Sequence, residues 1–212
     1  MENMKKTSFA LPITAAFLLF MGVSAQMNVA AEEVNSLRMQ NTKEEEAMPL
    51  SETKKILVAY FSHTGNTREI ADQIHKKAGG DIFEIQSVKP YPDDYDAVVK
   101  QAREELDSGY KPALKTKVED IGSYDVIFIG YPDWWGTFPA PVKAFLSEYD
   151  LSGKILVPFC THGGSGLGRS VADISKLCPK STLLEGIAIL GKDVKTAQDK
   201  VSEWLRRIKI TK

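Results

Sequence analysis

Three runs in this chain are apolar at nearly every position: ILVAYF at 56–61, DVIFIG at 125–130 and KILVPFC at 154–160. A strand with one face in water alternates apolar and polar residues, so a run without that alternation belongs to a strand covered on both faces. Shorter strands read at 81–86 (DIFEIQ) and 183–190 (LLEGIAIL). Segments with helical spacing separate them, at 68–77, 94–106, 141–149, 169–177 and 194–208. The second places Tyr95, Val98, Val99, Ala102 and Leu106 on one face, and the third has Pro141 at its start. The last carries an apolar stripe of Val194, Ala197, Val201, Trp204, Leu205 and Ile208. Five strands alternating with five helices, joined by right-handed crossovers, predict an α/β domain with one five-stranded parallel sheet and helices on both faces. Pro158, inside the run at 154–160, marks that strand's end or a local bend, because it has no N–H for the ladder.

Such sheets bind ligands beyond the carboxyl ends of their strands. The first strand ends in Ser62-His63-Thr64-Gly65-Asn66-Thr67, and a helix follows directly. Backbone N–H groups, the side chains of Ser62, Thr64, Asn66 and Thr67, and the helix dipole make this a place for an anion. The loop lacks the Gly-Lys-Ser/Thr ending of a polyphosphate loop and the three glycines of a dinucleotide fingerprint, so it suits a monophosphate. The plain alternative is a strand–helix turn capped by Thr64 or Asn66.

The third strand ends in Tyr131-Pro132-Asp133-Trp134-Trp135-Gly136-Thr137-Phe138-Pro139. Either one indole packs on the domain while the other lies on the surface, or an indole stacks on a flat heteroaromatic ring. The fourth strand ends in Thr161-His162-Gly163-Gly164-Ser165-Gly166-Leu167-Gly168-Arg169, whose glycines let backbone N–H groups approach the edge of such a ring. A phosphate at one end and a planar hydrogen-bonding ring at the other describe a mononucleotide-sized ligand, and a flavin fits best. His63 and His162 lie inside two of these loops, where each either touches the ligand or points away.

Lys5-Lys6, the apolar stretch from Phe9 to Gly22 and Val23-Ser24-Ala25 read as a signal peptide over residues 1–25, cleaved before Gln26; an uncleaved anchor is the alternative. Residues 26–53 are polar and Glu-rich, too poor in apolar side chains to offset their ordering entropy, and read as a disordered linker. Residues 54–212 are left as one domain. Residues 1–53 hold four of the 27 basic and seven of the 28 acidic residues, so the domain keeps 23 against 21, a net charge of +2. That balance gives no long-range steering towards nucleic acid. Cys160 at a strand end and Cys178 near the far end of the next helix are expected to be too far apart to bridge, leaving two free thiols.

The strand followed by SHTGNT, the GYPDWWGTFPAPV segment and the CTHGGSGLGRS segment, in that order, resemble the flavodoxin family in its short-chain, flavodoxin-like bacterial branch. The resemblance covers residues 54–208. It implies a sheet of order 2-1-3-4-5 and non-covalently bound FMN. It assigns the phosphate to Ser62, Thr64, Gly65, Asn66 and Thr67, and ring contacts to Pro132, Asp133, Trp134, Trp135 and Gly136. The ring's polar edge would meet Thr161, His162, Gly163, Gly164, Ser165 and Gly168. The expectation is an exported FMN-binding electron carrier with no catalytic residue and no metal, serving a redox partner protein or a small quinone-like acceptor. It would touch a membrane only through an uncleaved signal segment. The alternatives are an NAD(P)H-dependent quinone or flavin reductase on the same fold, and an exported flavin-binding module without redox turnover.

Overall fold

A computed structural model describes residues 54–211 of the chain. The expected signal segment at 1–25 and linker at 26–53 lie outside the described residues. The elements run β1 (Ile56–Tyr60), α1 (Asn66–Ala78), β2 (Asp81–Glu84), α2 (Tyr95–Ser108), β3 (Val126–Pro132), α3 (Ala140–Glu148), β4 (Ile155–His162), α4 (Ser170–Leu177), β5 (Thr182–Leu183), β6 (Ile187–Leu190) and α5 (Gln198–Arg207). Every strand pairing in the sheet is parallel, in the order β2-β1-β3-β4-β5, with β6 also paired to β4. Val58, Phe128 and Val157 stand level across β1, β3 and β4.

The two-sided burial expected of the apolar runs is present. Side chains of alternate residues enter two separate cores. Val58, Phe128 and Phe159 meet Ile70, Val201 and Trp204 of α1 and α5 on one face. Leu57, Ile127 and Leu156 meet Phe145 and Ile174 of α3 and α4 on the other. Local signals set the helix ends. Asp94 caps α2 by accepting from the Ala97 N–H at 2.8 Å, and Gly109 closes it in the left-handed region. The expected stripe of the last helix is buried throughout, although its first part, Gly191–Thr196, is a 3-10 helix and only Gln198–Arg207 is α-helical.

The fifth strand departs from expectation: it is broken into β5 and β6. Leu156 pairs with Leu183, and three residues on Phe159 pairs with Ile187, so the outer strand carries one extra residue. The cause is Pro158. The Leu156 carbonyl accepts from Leu184 at 3.0 Å, so residue 158, two further along, faces the same neighbour and has no N–H to offer it. At the break Gly186 passes so close that a Cβ would stand 2.8 Å from the Pro158 carbonyl oxygen. Cys160 and Cys178 are both free and buried, as the helix between them requires.

Candidate functional site

The loops after β1, β3 and β4 lie side by side because their strands are neighbours in the sheet. In the first, α1 begins without any side-chain cap: Gly65 is the N-cap, with φ 91°, and neither Thr64 nor Asn66 bonds the first turn. The first intrahelical bond runs from Glu69 N–H to the Gly65 carbonyl at 3.0 Å, and Arg68 N–H reaches Ser62 Oγ at 3.2 Å. The N–H groups of Asn66 and Thr67 therefore have no intrahelical acceptor. Thr64 is exposed. The Asn66 amide packs against Gly191, where a Cβ would come within 2.9 Å of it. The Thr67 hydroxyl is buried and sits 2.9 Å from that of Thr161, joining α1 to the end of β4. The basic residues of the loop are engaged elsewhere: Arg68 pairs with Glu84 and the Tyr60 hydroxyl, and His63 Nε2 lies 3.1 Å from the Pro92 carbonyl.

The second loop leaves β3 at Pro132, and the Asp133 N–H donates to the Thr161 carbonyl at 2.8 Å. Trp134 and Thr137 then exchange two backbone hydrogen bonds, of 2.9 and 3.2 Å, around a two-residue turn. Both turn residues have positive φ, 56° at Trp135 and 77° at Gly136, the pattern of a type I′ turn. Glycine fits that conformation; an indole-bearing residue is strained in it. The two indoles take different neighbours. Trp134 is half-buried, edge-on to Phe61, His63 and Tyr91 at centroid distances of 5.7, 5.9 and 5.0 Å. Trp135 is 48% exposed; its Nε1 donates to the Val99 carbonyl at 3.2 Å and Arg103 lies 5.3 Å from its ring centre.

The third loop winds around His162. Its Nδ1 accepts from Gly164 N–H and Gly166 N–H, both at 3.0 Å, so the ring proton sits on Nε2. Gly163, Gly164, Ser165 and Gly168 are exposed, whereas the Thr161 side chain is buried. Ser165 Oγ donates to Asp133 Oδ2 at 2.5 Å, and Arg169 N–H to the Gly136 carbonyl at 2.8 Å. Gly168, at φ 53°, lies so close to Gly136 that a Cβ would stand 2.4 Å from its carbonyl oxygen. The aromatic and glycine-rich loops are thus locked to each other. Beneath them Cys160 donates to the Gly166 carbonyl at 3.1 Å, and burial, helped by the Asp133 charge, pushes its thiol up to about 12. Burial also raises the Tyr131 phenol, whose hydroxyl bonds Ser170 at 2.8 Å and fixes the start of α4.

Asp133 Oδ1 is buried and has no hydrogen-bond partner. A carboxylate oxygen in that state calls for a donor, from a water or from a ligand. Sequence reasoning did not include Phe61 or Tyr91, which wall in Trp134 with His63. Tyr91 stands between two prolines, Pro90 and Pro92, and nothing local announces a contact 43 positions further along the chain.

The family model described as Flavodoxin matches residues 55–208. A provisionally named flavoprotein from Bacteroides eggerthii DSM 20697 is 37% identical, with a TM-score of 0.66 over 74% of this chain and 98% of that one. The crystal structure of a flavoprotein in complex with FMN from Lactobacillus acidophilus NCFM has the same fold, with a TM-score of 0.57 at 23% identity over 71% of this chain and 99% of that one. Flavodoxin from Haemophilus influenzae is 30% identical over 101 residues, 46% of this chain and 44% of that protein. The chain spans about half the length of the curated relatives it matches.

Proposed function

The chain belongs to the flavodoxin family, and from that premise we propose that its three loops hold one FMN and that it is an electron-transfer flavoprotein. The observation that carries this reading is the pairing of unmet needs at one rim. The first N–H groups of α1 lack intrahelical acceptors while the buried Asp133 Oδ1 lacks a donor. FMN offers both counterparts: phosphate oxygens to accept, and hydroxyl and imide groups to donate. The residues present fit it.

In this reading Ser62, Thr64, Gly65, Asn66 and Thr67 would hold the phosphate with neutral donors and the helix dipole. Pro132, Asp133, Trp134, Trp135 and Gly136 would border the ring on one side. Thr161, His162, Gly163, Gly164, Ser165 and Gly168 would border it on the other, with His162 holding the glycine loop in shape. When bound, FMN supplies one- and two-electron redox chemistry, which the protein's own groups tune. The Asp133 charge opposes the build-up of further negative charge beside it.

The +2 domain suits neither a strongly basic docking partner nor nucleic acid, so the acceptor is a redox protein of the cell envelope or a small quinone-like molecule. The N-terminal segment supports export, and N-terminal sequencing of the mature protein should begin at Gln26; a start at Met1 in the soluble cytoplasmic fraction would refute export.

Titration with FMN and with riboflavin tests the cofactor assignment. FMN should bind at least tenfold more tightly, roughly the contribution of a few charge-assisted hydrogen bonds. Equal affinities would remove the phosphate site. The FMN-loaded protein should oxidise almost no NAD(P)H at steady state, and rapid turnover would make it a reductase instead.

A further inference from the structure

Behind the aromatic loop, a cavity of about 270 Å3 opens between α2, α4 and the start of α3. The apolar part of its lining is formed by Leu106, Trp134, Phe138, Pro139, Ala140 and Leu177. Large apolar side chains remain open to solvent at this place: Tyr110 is 48% and Leu177 37% exposed, and both line the cavity. Protein interiors leave few voids larger than a water molecule, and a concave apolar site with a few polar groups is the usual form of a small-ligand pocket. Its size is near the lower limit for such pockets, about 300 Å3, which limits the occupant to one or two rings.

The charged groups of the lining give the sign of that occupant. Lys143, Arg169 and Lys176 stand against Glu105 and Asp173. Asp173 already pairs with Arg169 at 3.0 Å and Lys176 at 3.7 Å, and accepts from the Thr137 hydroxyl at 2.9 Å. Glu105 accepts from the Tyr91 hydroxyl and from Gln101. Lys143 has no carboxylate partner among the described residues; its ammonium donates only to the neutral Gly109 carbonyl, at 3.1 Å. A second observation agrees with the first. Helix α3 starts at this cavity with no capping side chain, and its first bonds run from Val142 and Lys143 to the Pro139 carbonyl. The Ala140 N–H is left without an intrahelical acceptor at the positive end of the helix.

We propose that this cavity is a second ligand site, sharing only the Trp134 wall with the FMN site, that takes a flat one- or two-ring apolar molecule bearing a single carboxylate. The rings fill the apolar walls and the carboxylate meets Lys143 and the Ala140 N–H. This proposal does not depend on FMN being bound.

Calorimetric titration of the full chain with 2-naphthoate, and separately with neutral 2-naphthalenemethanol, tests it. Naphthoate should bind one to one, about tenfold or more tightly than the alcohol. Lys143→Met should remove that preference, and Leu177→Trp should block both probes by filling the mouth. Both variants should bind FMN as the parent does, which shows that they are folded. Saturating FMN should leave naphthoate binding intact. Any of three results overturns the site: no naphthoate binding at millimolar concentration, an unchanged preference in Lys143→Met, or displacement of naphthoate by FMN.

Discussion

Cys160 ties the core of β4 to the glycine-rich loop, since its thiol donates to the Gly166 carbonyl at 3.1 Å from a fully buried position. Burial pushes that thiol up to about 12 in the folded protein, while in the unfolded chain it ionises near about 8.5. Above the lower value the unfolded chain sheds a proton that the folded one keeps, so this residue's contribution to stability is intact below pH 8 and falls as pH climbs towards 12. The slope is up to about 1.4 kcal/mol per pH unit. Urea unfolding of the parent and of Cys160→Ala between pH 7.5 and pH 11 should therefore show the gap between them narrowing as pH rises. Parallel curves would mean that the thiol is not held protonated. Trp135 carries a different lesson at the same scale. The difference in exposure, one indole packed on the domain and the other at the surface, was one of the two readings the adjacent tryptophans offered; the strain was not, because it follows from the backbone pairing of Trp134 with Thr137, which holds Trp135 at φ 56°.

Among the elements, the three apolar runs were legible because burial on both faces removes the polar alternation that would otherwise blur strand and helix. The helices were legible from their apolar stripes and, for α3, from Pro141 near its start; the cap at Asp94 and the closing Gly109 of α2 were not read from the sequence. The break between β5 and β6 was not legible, because its cause lies on another strand. Pro158 leaves a ladder position unfilled, and the answering residue, Gly186, is 28 positions away. Gly186→Ala should lower unfolding stability by about 1–3 kcal/mol, as overpacking against backbone does. FMN affinity should change little, since the one loop side chain near that Cβ, Leu167 at 3.3 Å, is not assigned to FMN. Unchanged stability in urea would show that the strand can close over the proline.

At the scale of the whole molecule, the sheet order 2-1-3-4-5 turns three segments far apart in sequence into one rim. The loops could be read in advance because position after a strand end is a property of sequence once the strands are known. Their mutual locking could not: the contacts of Thr67 with Thr161, of Asp133 with Ser165 and of Gly136 with Gly168 span 94, 32 and 32 positions. The capping reading of the first loop was equally open in the sequence, and only the backbone shows Gly65 at the N-cap, with Ser62 rather than Thr64 or Asn66 accepting from the first turn. As proposed, a rim built from all three loops binds a single FMN across them. Amide chemical-shift mapping of the protein during titration with FMN is the sharpest test. Saturation should come at one equivalent, with the largest shifts at residues 62–67, 133–136 and 162–168 together. Shifts confined to one loop, or centred on the cavity beside Lys143, would contradict it.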